Sequence, residues 1–403
     1  MTQHHTPETQ PQPSAGVGRR GVLAGAGVAT VAGLFSAAAS AAPAHASGQP
    51  KPNKSMPVRF GADGKLRIVQ FNDTQDTHLT DRRTIELIEK TLDSEKPGLV
   101  VLNGDVINGT PSTDTEVKQA YNNVLAPIEE RGIKFALTFG NHDEDSLSHN
   151  TSMTEPAIVD WLHSSYEHNI NPEIDADLMG HSNGQVLLQS SASKQPAFGV
   201  WLFDSNRYAP STIGGQSRKS LMNYDWIHGN QVQWYRETSA ATEKHYGRKI
   251  PSLAFFHIPL WEHHHMWFGS QFGSDESTHA AAAELHSIVG EKNEGVYVGA
   301  FNSGLYAAMQ ERGDVRGVYV GHDHVNTYSG NYFGIELGYG PGTGFGTYGF
   351  SGAEQHRLRG ARVFELDENA EGVYTGTRTV FAADLGIDTS PGHQRISEPA
   401  PLP

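Results

Sequence analysis

Five short apolar runs in this chain each end in a residue that can bind a cation or move a proton. Asp73 follows LRIVQF (66–71), and Asp105 closes GLVVLNGD (98–105). Asn141, His142 and Asp143 close KFALTFGNHD (134–143). His257 lies in SLAFFHIPL (252–260), and His322 and His324 end GVYVGHDH (317–324). In an open α/β sheet the ligand crevice lies beyond the carboxyl ends of the strands. The pattern therefore favours folds in which several strand ends share one crevice.

The text between the runs fits such a fold. TDRRTIELIEKTLDSEKP (80–97) sets Ile85, Ile88 and Leu92 at helical intervals, with Thr80 or Asp81 as cap and Pro97 as stop. Residues 115–131 and 224–245 read as further helices, and Trp226, Trp234 and Tyr235 in the latter read as core packing. The continuous apolar run 98–105 predicts a strand buried on both faces. VLLQSS (186–191) and AFGVWLFDS (197–205) predict an antiparallel pair, and ARVFELD (361–367) a further strand. Strand–helix–strand units followed by strand pairs predict an α/β sandwich with mixed sheets between helices. The domain spans residues 58–384, after a Pro/Lys linker (47–57); residues 385–403 predict a loose tail.

Residues 1–46 read as an address. Arg19 and Arg20 precede an uncharged Ala/Gly-rich run, and Ala44-His45-Ala46 supplies a cleavage signal. This order predicts export by the twin-arginine machinery, a location outside the cytoplasm and no stable membrane anchor. The chain has no Cys, which excludes a disulfide scaffold, a Cys-ligated zinc and a thiol nucleophile. A net charge of −15 argues against a nucleic-acid-binding module.

The strand-end residues suit divalent cations. Carboxylates and imidazoles bind Zn, Mn and Fe, and an Asp can bridge two ions about 3.5–4 Å apart. Gly104 and Gly140 precede Asp105 and Asn141 and permit close backbone approach. His322 and His324 alternate along an extended chain and face one side. Singly, Asp105 reads as a turn residue and His257 as a core histidine; as an ordered set they read as ligands.

The ordered set resembles the calcineurin-like metallophosphoesterase superfamily. The motifs here are Asp73-Thr-Gln75, Gly104-Asp105, Gly140-Asn141-His142-Asp143, His257 and Gly321-His322-Asp323-His324. SEKPGLVVLNGD, LAFFHIPL and NSGLYAAMQERGDVRGVYVGHDHVN resemble the plant and fungal branch named after purple acid phosphatases. The resemblance implies a four-layer α-β-β-α sandwich of two mixed β-sheets flanked by helices. It implies two divalent or trivalent ions (Fe, Mn or Zn). Asp73, Gln75, Asp105 and His324 would hold one ion, and Asp105, Asn141, His257 and His322 the other. His142 would lie beside the phosphoryl group as stabiliser or general acid, with Asp143 orienting it. The implied reaction is attack of a metal-bridging hydroxide on a small phosphorylated substrate, with phosphomonoesters as the first expectation. The alternatives are a phosphodiesterase or nucleotide pyrophosphatase, and a non-catalytic protein binding metal or phosphate.

The chain departs from the family pattern twice. Gln75 stands where His is usual, and Asp76-Thr-His78 offers a rival D-x-H. Asp73 and Gln75 are preferred because they lie nearer the strand end. No Tyr follows Asp105 closely, so the Tyr-to-iron charge transfer behind the purple colour is not expected. Elsewhere, His263-His264-His265 read as a loop lining the substrate mouth, with Arg207 and Arg218 as further cations for a monoester. GYGPGTGFGTYG (338–349) lacks the Lys-Ser/Thr ending of a P-loop and reads as a turn-rich segment near the site.

Overall fold

The computed structural model describes residues 52–269, 276–350 and 355–403. The expected export signal (1–46) and the first part of the linker lie outside them. Among the described residues no helix is long and apolar enough to cross a membrane.

The first half runs β1 (Val58–Arg59), β2 (Lys65–Phe71), α1 (Arg82–Glu95), β3 (Leu99–Asn103), α2 (Asp114–Glu129), β4 (Lys134–Thr138) and α3 (Glu155–Ser165). Next come β5 (Gly184–Gln189), β6 (Pro196–Leu202), a small hairpin of β7 (Thr212–Ile213) and β8 (Gln216–Ser217), α4 (Gly229–Tyr246) and β9 (Ser252–Phe255). The chain ends with α5 (Trp261–Phe268), α6 (His279–His286), α7 (Leu305–Arg312), β10 (Val315–Val320), β11 (Ser329–Tyr332), β12 (Ile335–Tyr339), β13 (Gly360–Asp367) and β14 (Tyr374–Phe381).

Two mixed sheets result. One has the order β14-β13-β2-β3-β4, with β2, β3 and β4 parallel. The other has the order β1-β5-β6-β9-β10-β12-β11, with β6, β9, β10 and β12 parallel. The expected antiparallel pair is β5 and β6.

Side-chain alternation along the strands builds the layers. Leu66 and Ile68 of β2, and Leu99 and Val101 of β3, share one buried cluster with Phe198, Val200, Leu253 and Phe255 of the other sheet. Their neighbours Val69, Phe71, Val100 and Leu102 face outward, against Ile88 and Leu92 of α1 and Tyr121 of α2. On the far sheet Trp201, Ala254 and Val318 pack outward against α4, α5 and α7 through Tyr235, Met266 and Met309. Strands sandwiched in this way are apolar on both faces, hence the unbroken run at Leu99–Asn103. The architecture is the expected four-layer sandwich.

α1 starts where its cap residue lies in the sequence: the Asp81 carboxylate accepts from the Arg83 backbone N–H. It stops at Lys96, which adopts a left-handed conformation just before Pro97. The Asp81 carboxylate also pairs with the Arg83 guanidinium at 2.8 Å, and both side chains are buried. Arg83 donates its remaining N–H groups to the Ser390 carbonyl at 2.8 Å and the Gly392 carbonyl at 2.6 Å. Asn122 of α2 donates to the Pro401 carbonyl at 2.8 Å. Residues 388–401, expected as a loose tail, are therefore tied down. They are held by Arg83, by Asn122 and Asn123 of α2, and by Asp81, which accepts from the Gln394 backbone N–H at 2.7 Å.

Removing one partner of a buried ion pair costs about 3–5 kcal/mol. Arg83→Ala should lower unfolding stability in urea by that order and open the tail to limited proteolysis. An unchanged urea midpoint would contradict this account of the tail.

Candidate metal centre

The crevice lies where β2, β3, β4, β9 and β10 end. The sheets are joined there by Asn103, whose amide N–H₂ donates across to the Phe256 carbonyl at 3.0 Å and the Tyr319 carbonyl at 3.1 Å. Asp105 belongs to two groups of ligand atoms, each group lying within 4.8 Å: Asp105 with His257 and His322, and Asp105 with Asp73 and His324. His257 Nε2 lies 3.0 Å from Asp105 Oδ2 and 3.8 Å from Asp73 Oδ1. His324 Nε2 lies 3.4 Å from Asp73 Oδ1.

Two buried atoms here, Asn141 Oδ1 and His322 Nε2, have no hydrogen-bond partner, and a third, His257 Nε2, faces only the Asp105 and Asp73 carboxylates. An unmet buried polar atom costs roughly 1–3 kcal/mol, so native structures explain nearly all of them. These three are ligand-type atoms from one expected coordination set, so the residues fit a metal ion. His257 is also set up as a ligand: its Nδ1 lies 2.9 Å from the Asn103 carbonyl. Donation there orients the ring so that Nε2 faces the crevice, where it would ligate an ion once its proton is displaced.

Backbone conformation aims the other side chains. Asp73 (φ 52°), Gln75 (φ 32°), Asp105 (φ 49°) and His322 (φ 73°) all adopt left-handed conformations. Such residues cost about 1–3 kcal/mol each and cluster at functional sites. Gly140 packs so tightly that a Cβ there would lie 2.3 Å from Asp105 Oδ1, and one on Gly104 would lie 2.5 Å from His257 Nδ1. The glycine-rich segment lies beside the site as expected. Thr347 donates to Gln75 Oε1 at 2.7 Å, and the Tyr348 ring stacks on His324 at 4.1 Å.

Burial and the neighbouring Asp105 charge push the Asp73 carboxyl up to about 7, against the opposing pull of His257. Burial opposes a charge on His257, but Asp105 and Asp73 outweigh it and push it up to about 10. Burial and the Arg359 charge hold His324 down to about 3, and burial with the His257 charge puts His322 well below the usual range. Both imidazoles are thus neutral and keep a lone pair for a ligand. The centre, as it stands, asks for a cation between its carboxylates.

Several expectations are corrected. Asp143 does not touch the His142 ring. It is buried and accepts from the backbone N–H groups of Asp105 (3.0 Å), Val106 (2.9 Å) and Gly140 (2.8 Å) and from the Tyr121 hydroxyl (2.8 Å). It staples the two ligand loops together. The partner of His142 is Asp145, with Oδ2 at 2.6 Å from Nδ1. Arg207 is no free cation, since it pairs with Glu144 at 2.8 Å and Asp145 at 2.6 Å. Arg218 donates to the Ala209 carbonyl at 3.1 Å. His263, His264 and His265 form part of helix α5, not a loop. His263 is fully buried against Tyr339, and burial holds it neutral, down to about 3. The rival first motif falls elsewhere: Asp76 accepts from the Thr77 and Asp81 backbone N–H groups, and His78 faces Glu116 at 4.0 Å.

The sequence reading missed Asp145, Tyr208, Tyr224 and Tyr348. Tyr224 meets His322 edge-on at 4.3 Å. Asp145 alone left a local signal, a carboxylate three residues after His142. A third carboxylate–histidine group, Glu155, His181 and Asp204, is internally satisfied: His181 Nδ1 lies 2.7 Å from Glu155, and the His181 backbone N–H donates to Asp204 at 2.7 Å.

With this geometry in place, the comparisons are decisive. The family model for calcineurin-like phosphoesterases matches residues 66–326. The chain belongs to the calcineurin-like phosphoesterase family. It is a metallophosphoesterase, a hydrolase acting on phosphoric ester bonds. The Arabidopsis thaliana protein named "Probable inactive purple acid phosphatase 29" is 29% identical, over 77% of this chain and 79% of its own. "Phosphatase DCR2" of Saccharomyces cerevisiae is 27% identical, over 80% of this chain and 56% of its own. Among solved structures, a dimetal phosphatase from Danio rerio aligns with a TM-score of 0.47 and 12% identity, over 79% of this chain and 99% of its own. The likeness to the purple acid phosphatase branch expected from the sequence is thus present in the named relatives.

Proposed function

We propose that this phosphoesterase hydrolyses small phosphate esters with two metal ions held on either side of Asp105. The observation that carries the reading is the sharing of Asp105 by the two ligand groups. Asp73, Asp105 and His324 suit one ion. Gln75 can join them, because an amide oxygen that accepts from Thr347 keeps a second lone pair. Asp105, Asn141, His257 and His322 suit the other. Ions held there would supply an acidified water as nucleophile and would offset charge on the phosphoryl oxygens. His142, partly exposed beside Asp105, stabilises developing charge or gives a proton to the leaving oxygen. No side chain is needed as nucleophile.

The name of the plant relative describes that protein. Here the complete ligand set and His142 support turnover, not mere binding. Phosphomonoesters are the first reading, in keeping with the yeast relative's name. One observation favours diesters instead: Arg207 is already neutralised by Glu144 and Asp145 and offers no spare charge to a dianion. The paired Arg19 and Arg20 support export through the twin-arginine route.

Asn141→Ala and His257→Ala should each deplete metal, measured by elemental analysis, and lower kcat/KM on a chromogenic phosphoester at least about 10³-fold. Full activity in both variants would refute the assignment. Replacing Arg19 and Arg20 with Lys should strand the protein in the cytoplasm of a bacterial host, read by cell fractionation; undiminished export would refute that route.

A further inference from the structure

His142 stands apart from the other site residues because its side chain is 36% exposed while the ligand-type residues are buried. Its backbone is fixed, since its N–H donates to Asp105 Oδ1 at 2.8 Å. Its ring is fixed by a separate device. Nδ1 lies 2.6 Å from Asp145 Oδ2. Asp145 is itself held at both oxygens: Arg207 donates to Oδ1 at 2.6 Å, and the Tyr208 hydroxyl donates to Oδ2 at 3.0 Å. Arg207 is anchored in turn by Glu144 at 2.8 Å and by the Asn141 carbonyl at 3.1 Å. The clamp is thus referenced to the backbone next to His142 itself.

We propose that Asp145, clamped by Arg207 and Tyr208, is a positioning residue that presents Nε2–H of His142 to the leaving-group oxygen. A carboxylate at Nδ1 holds a proton there, selects one of the two ring orientations and stabilises the imidazolium, whose other proton is on Nε2. Arg207 keeps that carboxylate ionised and correctly turned, a role distinct from binding the substrate phosphate. The role rests on the phosphoesterase reading above. In the step concerned, a hydroxide oxygen, whose second proton has already gone to solvent, bonds to phosphorus and the bond from phosphorus to the leaving oxygen breaks. The bonding pair goes to the leaving oxygen, which takes the proton from Nε2. His142 passes from imidazolium to neutral imidazole, keeping on Nδ1 the proton it donates to Asp145, and solvent restores the Nε2 proton.

The test uses Asp145→Asn in the metal-loaded, full-length protein, because Asn carries no charge to stabilise the imidazolium and can offer Nδ1 an N–H in place of an acceptor. An alkyl phosphate leaves poorly and needs the proton; 4-nitrophenyl phosphate leaves as a stable phenolate. The variant should lose about 10²–10³-fold in kcat on the alkyl ester and about ten times less on the nitrophenyl ester. Metal content and KM should stay at wild-type values, and Asp145→Glu should restore part of the loss. A second readout needs no turnover: ¹⁵N-histidine NMR of the zinc-loaded protein should show a protonated His142 Nδ1 that D145N loses. Equal losses on both esters, metal depletion in D145N, or an unprotonated Nδ1 in the wild type would each overturn the role. If the wild type hydrolyses neither ester, the phosphoesterase reading falls and this role with it. If the wild type turns over and D145N responds equally to both esters, only the role falls.

Discussion

Two buried carboxylates, Asp73 and Asp105, face the same imidazole, and most of the surrounding structure answers that fact. Neither has bulk water to disperse its charge, and the Asp105 charge raises the cost of ionising Asp73. The neutral rings of His322 and His324 do nothing to offset it. A proton on His257 or on Asp73 relieves the arrangement in the bare chain, and metal ions would do so when the chain is loaded. The orphaned atoms of Asn141 and His322 make the second answer the chemically complete one.

Holding such a centre requires rigidity from outside it. Asp143 gathers backbone donors from both ligand loops, and Asn103 joins the two sheets beneath His257. The left-handed conformations at Asp73, Gln75, Asp105 and His322 are strain that this frame stabilises. Farther out, the Asp81–Arg83 pair holds the C-terminal segment against α1, and the Arg83 guanidinium lies 4.5 Å over the Phe345 ring of the glycine-rich segment. The distant ion pair and the centre thus share one supporting layer.

Much of this was legible in the sequence, for identifiable reasons. Continuous apolar runs marked strands covered on both faces, and their ends marked the crevice. Asp81 and Pro97 bounded α1 because caps and stops act locally. What was not legible depends on long-range contact. Asp143 follows His142 directly and invites pairing with it, but adjacent side chains diverge and Asp143 turns into the backbone instead. Asp145 acquires its place from Arg207 and Tyr208, more than sixty residues away in the chain. WEHHHMWF shows no clear polar face, so α5 could not be told from an aromatic loop. The tail is ordered by bonds to Asp81, Arg83, Asn122 and Asn123, all far from it in the chain.

The central claim is that Asp105 bridges two ions. Anomalous diffraction from crystals of the manganese- or zinc-loaded protein tests it most directly. The account predicts two peaks about 3.5–4 Å apart, one on each side of the Asp105 carboxylate. One of them should lie against Asp73 and His324, the other against His257, His322 and Asn141. A single peak, or peaks away from Asp105, would contradict it.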